Sequence, residues 1–253
     1  MIILSDFTRN VGETVLGIHF RTDPEVHAEH VPDPLEPIKP GEAMALFGQT
    51  VLHDEETNDE WDYPPPRLSA LHESSVIFPC EIEGTEGFLF THHHADRDWA
   101  VRNFSAMGYD STLAEMYLSR YPPELREFIP RDAGAVVEAK TSTTNGIQMH
   151  GSVRLETEDV DHPWPADYTV FGRRKVRDES IDSPTPLLVN DITTETYERA
   201  ERHTIWRGEA DLTLGERGFG DLQPTEVLGG YVWDITLQFE GMEALWEGSL
   251  SEQ

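Results

Sequence analysis

Apolar and β-branched residues alternate with polar ones along most of this chain, and that period-two pattern predicts strands far more often than helices. Thr14-Val-Leu-Gly-Ile-His-Phe-Arg21 reads as a strand that delivers Arg21 at its end. Asp23 then caps a short helix with Pro24 at its first position, running to about His30. Pro32, Pro34, Pro37 and Pro40 hold the next stretch extended, Ala43 to Leu52 returns as a strand, and the acidic run from His53 to Pro66 reads as a solvated loop closed by prolines. Ser75 to Ile82 and Phe88 to His94 form a hairpin about a turn at Gly84 to Gly87. A helix follows, capped by Asp96, with Trp99, Ala100, Val101 and Phe104 gathered at helical spacing and Gly108 in the left-handed position beyond its end.

A second hairpin joins Ala135–Ala139 to Ile147–Leu155 around Thr144-Asn-Gly146. Thr169 to Val176, Pro186 to Tyr197, His203 to Leu214 and Gly230 to Phe239 supply the remaining strands. Many strands with few short helices predict a mainly β (α+β) fold, a curved antiparallel sheet or barrel with short peripheral helices. No repeat or long linker divides the 253 residues, so a single domain covering residues 1–253 is expected.

Charge changes the picture more than length does. Asp and Glu number 48 against 19 Lys and Arg, a formal net charge of −29, and Lys39, Lys140 and Lys175 are the only lysines. Such an excess repels itself in dilute buffer, whereas at molar salt the screening length falls to about 3 Å. The acids are interleaved with apolar residues rather than confined to a tail, which fits a cytoplasmic protein of a salt-accumulating organism such as a halophilic archaeon. A nucleic acid or an anionic membrane is excluded as a partner, because phosphate binding needs a basic face. Met1 to Asp6 lacks the basic leader and apolar length of a signal peptide, and no run approaches a membrane span. Cys80 is the only cysteine, so no intramolecular disulfide forms; its alternating strand context predicts a buried packing thiol.

Several short segments carry a family likeness. They are Phe20-Arg-Thr-Asp-Pro24 followed by Val31-Pro-Asp-Pro-Leu-Glu36, Leu71-His-Glu-Ser74, Gly84-Thr-Glu-Gly-Phe88, Gly108-Tyr-Asp-Ser-Thr-Leu113, and His203-Thr-Ile-Trp-Arg-Gly208 with Asp211-Leu-Thr-Leu214. Together, from about residue 14 to 247, they resemble the acetoacetate decarboxylase family. The resemblance implies a β-cone with peripheral helices around a central pocket, a small carboxylate substrate, no cofactor, and assembly into a homo-oligomer. In that family a Gly-Tyr is followed by Pro-Lys-Lys-Leu, and the first lysine forms the Schiff base with the substrate ketone. Here Asp110, Ser111 and Thr112 stand at those three positions, and a second family glutamate falls on Gly48.

Decarboxylating a β-keto acid needs an electron sink at the ketone, which a lysine imine supplies; acetoacetate decarboxylase is itself the standing example of such an activated lysine. A hydroxyl forms no cationic adduct with a ketone, so Ser111 and Thr112 cannot replace it. The resemblance implies instead that Arg21 holds the substrate carboxylate through paired hydrogen bonds and that Glu73 exchanges a proton. Ser111 joins Glu73 as the catalytic candidate, with Tyr109 as a pocket wall and Thr112 beside it as substrate-binding candidates. The competing readings are a surface ion pair for Arg21 and a solvated carboxylate for Glu73. His92, His93 and His94 raise a metal reading, with His53 or His72 as a third ligand, but no metal motif is present and polar strand packing is preferred. Trp206 and Trp233 read as core.

Two functions stand: a lyase-like enzyme acting on a small oxo or hydroxy acid without Schiff-base chemistry, and a non-catalytic small-acid-binding or assembly module on the same scaffold. The charge excess generates the first prediction. Circular dichroism followed while molar salt is dialysed away is expected to show loss of β signal, and a spectrum indifferent to salt removal overturns the halophilic reading.

Overall fold

The computed structural model describes residues 9–54, 70–119, 130–158, 160–164, 169–178 and 187–249; most of the expected acidic loop, and Pro186, lie outside them. Alternation of side chains accounts for thirteen strands: β1 (Arg9–Arg21), β2 (Glu36–Pro37), β3 (Glu42–Asp54), β4 (Ala70–Ile82), β5 (Thr85–Ala95), β6 (Ser111–Leu113), β7 (Glu115–Leu118), β8 (Val136–Thr143), β9 (Gly146–Glu158), β10 (Thr169–Asp178), β11 (Leu187–Arg202), β12 (Trp206–Leu214) and β13 (Glu226–Ser249). Among the described residues three short helices accompany them, α1 (Pro24–His30), α2 (Asp98–Met107) and α3 (Glu216–Phe219). The mainly β fold expected from the pattern is the fold observed. None of the described helices is long and apolar enough to cross a membrane.

Hydrogen bonding runs in the order β1, β3, β4, β5, β10, β11, β13, and β13 pairs back with β1, so these strands close a ring. The closure rests on Ile235 to Phe239 of β13, which pair with β1 on one edge and β11 on the other. Toward its start β13 pairs instead with β12, through Gly230 to Val232, and β9, β8 and β7 continue from there as a second layer. Pairing is antiparallel except where β10 and β6 meet β5. For β6 the reason is connectivity: α2 reverses the chain between β5 and β6, so the two strands run the same way.

Period-two alternation sorts each strand between two interiors. Even-numbered β1 residues Leu16, Ile18 and Phe20 pack outward with Phe47 and Phe78 against Val137, Met149 and Val153 of the second layer. Trp206 lies in that core, and a hydroxyl pair, Ser74 with Thr141 at 2.8 Å, bridges the layers. The odd β1 residues face the inside of the ring. One end of that interior is filled by Val15, Met44, Ile77, Phe88, Trp164 and Trp233. Cys80 is fully buried, and burial pushes its thiol up to about 12, as suits a packing group.

Local expectations fare unevenly. Asp23 caps α1, accepting from the Glu25 N–H at 2.8 Å, and Gly108 ends α2 with φ 104°. The first hairpin is tighter than expected: Glu83 and Gly84 alone make the turn, with φ 51° and 82°, and Thr85 already belongs to the strand. Asp96 does not cap α2. Arg97 holds that position without a side-chain capping bond, because the Asp96 carboxylate is committed to β4, accepting from the His72 N–H and bonding its ring Nδ1, each at 2.9 Å.

At Gly151 of β9 the two layers approach closely. A Cβ there would meet Ile18 at 2.5 Å and Phe47 at 3.0 Å. Gly151→Val is expected to cost about 1–3 kcal/mol by overpacking, and Phe47→Ala about 3–5 kcal/mol, in urea unfolding at constant salt. The double variant is expected to lose less than the sum, since the added methyls enter the emptied space.

Candidate functional site

The ring interior not filled by packed side chains is a cavity of about 350 Å³. Its floor and walls follow from strand register. Val11 and Glu13 of β1, Gly48, Thr50 and Leu52 of β3, and Ile235 and Leu237 of β13 all point inward at alternate positions. Glu73 enters from β4, paired with Gly48. From α2 come Trp99, Asn103, Phe104 and Met107, spaced to share one helix face. Tyr109, Glu195, Tyr197 and Arg202 also line the cavity.

Three carboxylates therefore meet in one cavity. The Thr50 hydroxyl donates to Glu73 Oε1 at 2.6 Å, and Glu73 Oε2 lies 3.1 Å from His93 Nε2. His93 is itself buried, and its Nδ1 lies 2.9 Å from the Ser111 hydroxyl. The Glu73 carboxylate can only accept, which places the imidazole proton on Nε2 and leaves Nδ1 to accept from the Ser111 hydroxyl. The ring is clamped by Phe104 and Tyr109, at centroid distances of 4.4 and 5.7 Å. Tyr109 donates its hydroxyl to Glu195.

Burial and mutual repulsion separate the protonation of these groups. Glu13 is held well above the ordinary carboxylate range, first by burial and then by the Glu73 charge, against the opposing bond with Thr50. The Thr50 hydroxyl proton goes to Glu73, which leaves burial and the Glu73 charge to raise the proton affinity of Glu13. Glu195 is pushed up to about 7 by burial, with the Tyr109 bond opposing and the Glu73 charge adding. The Tyr109 hydroxyl is raised well above its usual value by burial and the Glu195 charge, and so stays a donor.

Gly48, where the family pattern has a glutamate, is explained by its neighbours. Its missing Cβ leaves room for the Glu13 carboxylate reaching across from β1, and any side chain at 48 would collide with it. A carboxylate is thus present at this point, carried by a different strand.

Of the residues singled out from the sequence, Glu73 and Tyr109 line the cavity. Ser111 does not; it supports Glu73 through His93. Thr112 is exposed on β6. Arg21 is also exposed, at the surface end of β1, where it pairs with Glu226 at 2.6 Å, and the arginine lining the cavity is Arg202. Arg202 donates Nη1 to the Trp164 carbonyl at 3.1 Å and stands in register with Ile235, which on its other side pairs with Glu13. Among the described residues no lysine lines the cavity; Lys39 and Lys140 are exposed, and the Lys175 side chain lies outside the described set. Trp233, expected as core, is buried and also walls the cavity.

The histidine run divides as a bulge dictates. Between Ser74 and Val76 of β4 the register against β5 shifts, giving β5 an extra residue, and His92 takes φ 47°. Without that insertion Phe88 and Phe90 would be followed inward by His92. With it, His93 turns toward Glu73, while His92 and His94 both pack on Phe219. Burial lowers both to about 4, so they are neutral packing groups. Among the described residues no three His, Cys, Asp or Glu side chains are placed to hold one metal ion; the His53 side chain lies outside them.

Against known proteins, the chain matches the acetoacetate decarboxylase family over residues 3–248. It belongs to that family. No curated protein matches it by sequence. Among solved structures it superposes on the enduracididine biosynthesis enzyme MppR, determined with pyruvate, at TM-score 0.82 and 20% identity, over 96% of this chain and 92% of that one. An acetoacetate decarboxylase-like enzyme from Sphingomonas wittichii RW1 gives TM-score 0.81 at 19% identity, over 95% and 93% of the two chains. Acetoacetate decarboxylase from Legionella pneumophila gives 0.69 at 14%, over 96% and 88%. At these identities the likeness is one of fold.

Glu195 carries a stability prediction. A carboxyl bound more tightly to its proton in the folded state adds stability below its unfolded pKa and loses it as pH rises through about 7. Glu195→Gln cannot ionise, so its melting temperature relative to the parent chain is expected to rise between pH 5 and pH 8, measured at fixed salt.

Proposed function

We propose that this chain is an enzyme of the acetoacetate decarboxylase fold that moves protons on a small oxo acid without forming an imine, a lyase-type chemistry run by carboxyl groups. The observation that carries the reading is the meeting of Glu13, Glu73 and Glu195 in one cavity, with the proton affinity of Glu13 raised well above the ordinary carboxylate range and Glu195 poised to titrate near pH 7. Separated protonation states among neighbouring acids are the usual basis for assigning an acid and a base. The MppR structure with pyruvate adds support for an oxo acid as the ligand class.

In this reading Arg202 takes the substrate carboxylate, for which a guanidinium is suited. Glu73 accepts the proton from the carbon next to the carbonyl. The C–H electron pair becomes the new C–C π bond, the carbonyl pair moves onto oxygen, and the neutral Glu13 carboxyl donates a hydrogen bond to that developing oxyanion. In a β-oxo acid the bond to departing carbon dioxide supplies the same electron pair. An enolate stabilised by O–H donors thereby stands in for the imine as electron sink. His93, held on its far side by Ser111, keeps Glu73 in orientation.

The test is exchange of pyruvate methyl protons with D2O, followed by proton NMR in molar potassium chloride. The parent chain is expected to exceed the buffer rate, and Glu73→Gln to lose about 100-fold or more of the enzymatic excess. Sodium borohydride added with pyruvate is expected to leave the intact mass unchanged. A substrate-dependent mass gain on Lys39, Lys140 or Lys175 overturns imine-free chemistry, and binding without exchange favours the non-catalytic module.

A further inference from the structure

Past the level of Glu13 and Arg202 the cavity continues along β1, β3 and β13 through apolar side chains. Register defines its depth. Glu13, Thr50, Ile235 and Arg202 share one level across four strands. The next inward-facing level carries Val11, Leu52 and Leu237, and the level after it pairs Tyr197 with Phe239. Each level is two residues, roughly 7 Å, along a strand. Those two aromatic rings meet edge to face at 6.0 Å, and Trp99 of α2 packs beside Leu52.

A three- or four-carbon oxo acid with its carboxylate on Arg202 and its carbonyl at Glu13 reaches no further than the first level. A cavity of about 350 Å³ lies instead in the size range of sites that enclose drug-sized ligands. Wetting the Val11, Leu52 and Leu237 level leaves water against apolar side chains on several sides, and displacing such water is favourable.

We propose that the substrate is an oxo acid bearing an apolar arm, an aryl or branched alkyl group, with the oxo acid head among Arg202, Glu13 and Glu73 and the arm in the chamber of Val11, Leu52, Leu237, Tyr197, Phe239 and Trp99. This rests on the oxo-acid reading above and names the substrate class for the same site. Val11, Leu52 and Leu237 become the residues that set specificity.

The experiment is calorimetric titration of pyruvate, 2-oxobutyrate, 4-methyl-2-oxopentanoate and phenylpyruvate in molar potassium chloride, with proton exchange measured on the same series. Dissociation constants are expected to fall by about fourfold for each added buried methylene, with phenylpyruvate or the branched acid tightest. Leu237→Trp, which fills the chamber, is expected to abolish that gradient; Val11→Phe fills it from the neighbouring strand, and circular dichroism verifies the fold of each. Affinity flat or falling with arm length, or a gradient that survives both variants, overturns the proposal. A gradient without proton exchange on any acid preserves the chamber assignment and overturns the enzymatic reading, so the two failures are told apart.

Discussion

The site exists because β13 is paired along both edges at Ile235 to Phe239. Ring closure fixes the register of every strand it includes, and a slip of one residue would exchange all inward and outward side chains. On β1 that exchange would carry Glu13 out to the packed layer and bring Leu16 and Ile18 into the cavity. The same pairing that satisfies backbone hydrogen bonds therefore selects which acids share the enclosed space. Burial of Ile18, Phe47 and Met149 between the two layers reinforces the choice, because the apolar face of β1 has a partner only on one side.

Enclosure then determines the chemistry available. Three carboxyl groups in water would ionise together; inside a low-dielectric ring the first to ionise raises the others. Thr50 and His93 give Glu73 two hydrogen-bond partners, and Glu13 and Glu195 bear the cost through raised proton affinity. Gly48 belongs to the same arrangement, since its lack of a side chain is what admits Glu13 beside Glu73. The substitutions at Gly48 and Ser111, which look like losses against the family pattern, instead coincide with a carboxyl supplied from β1 and a hydroxyl that orients His93.

Much of the scaffold was legible along the chain. Alternation located the strands, Asp23-Pro24 located α1, and Gly108 marked the end of α2. Glu73 and Tyr109 were singled out by short motifs and both line the cavity. Glu13 leaves a fainter trace, an acid between Val11 and Val15, just ahead of the Thr14 to Arg21 run in which β-formers are dense. Nothing local separated Glu195 from the chain's many other acids, or Arg202 from Arg21. Register shifts after Thr196 and Tyr197 on β11 change which parity faces inward, and they turn Ala200 and Arg202 toward the cavity. The β5 bulge does the same for His93.

By itself, then, the sequence determined the secondary structure class, the family pattern and the strongly acidic charge, because each depends on residue type and short-range periodicity. Which acids face one another, which arginine joins them and which histidine supports Glu73 were decided only by the closed sheet. Those relations join strands distant in the chain, as Glu13 and Ile235 are, and turn on single-residue bulges that leave no periodic trace.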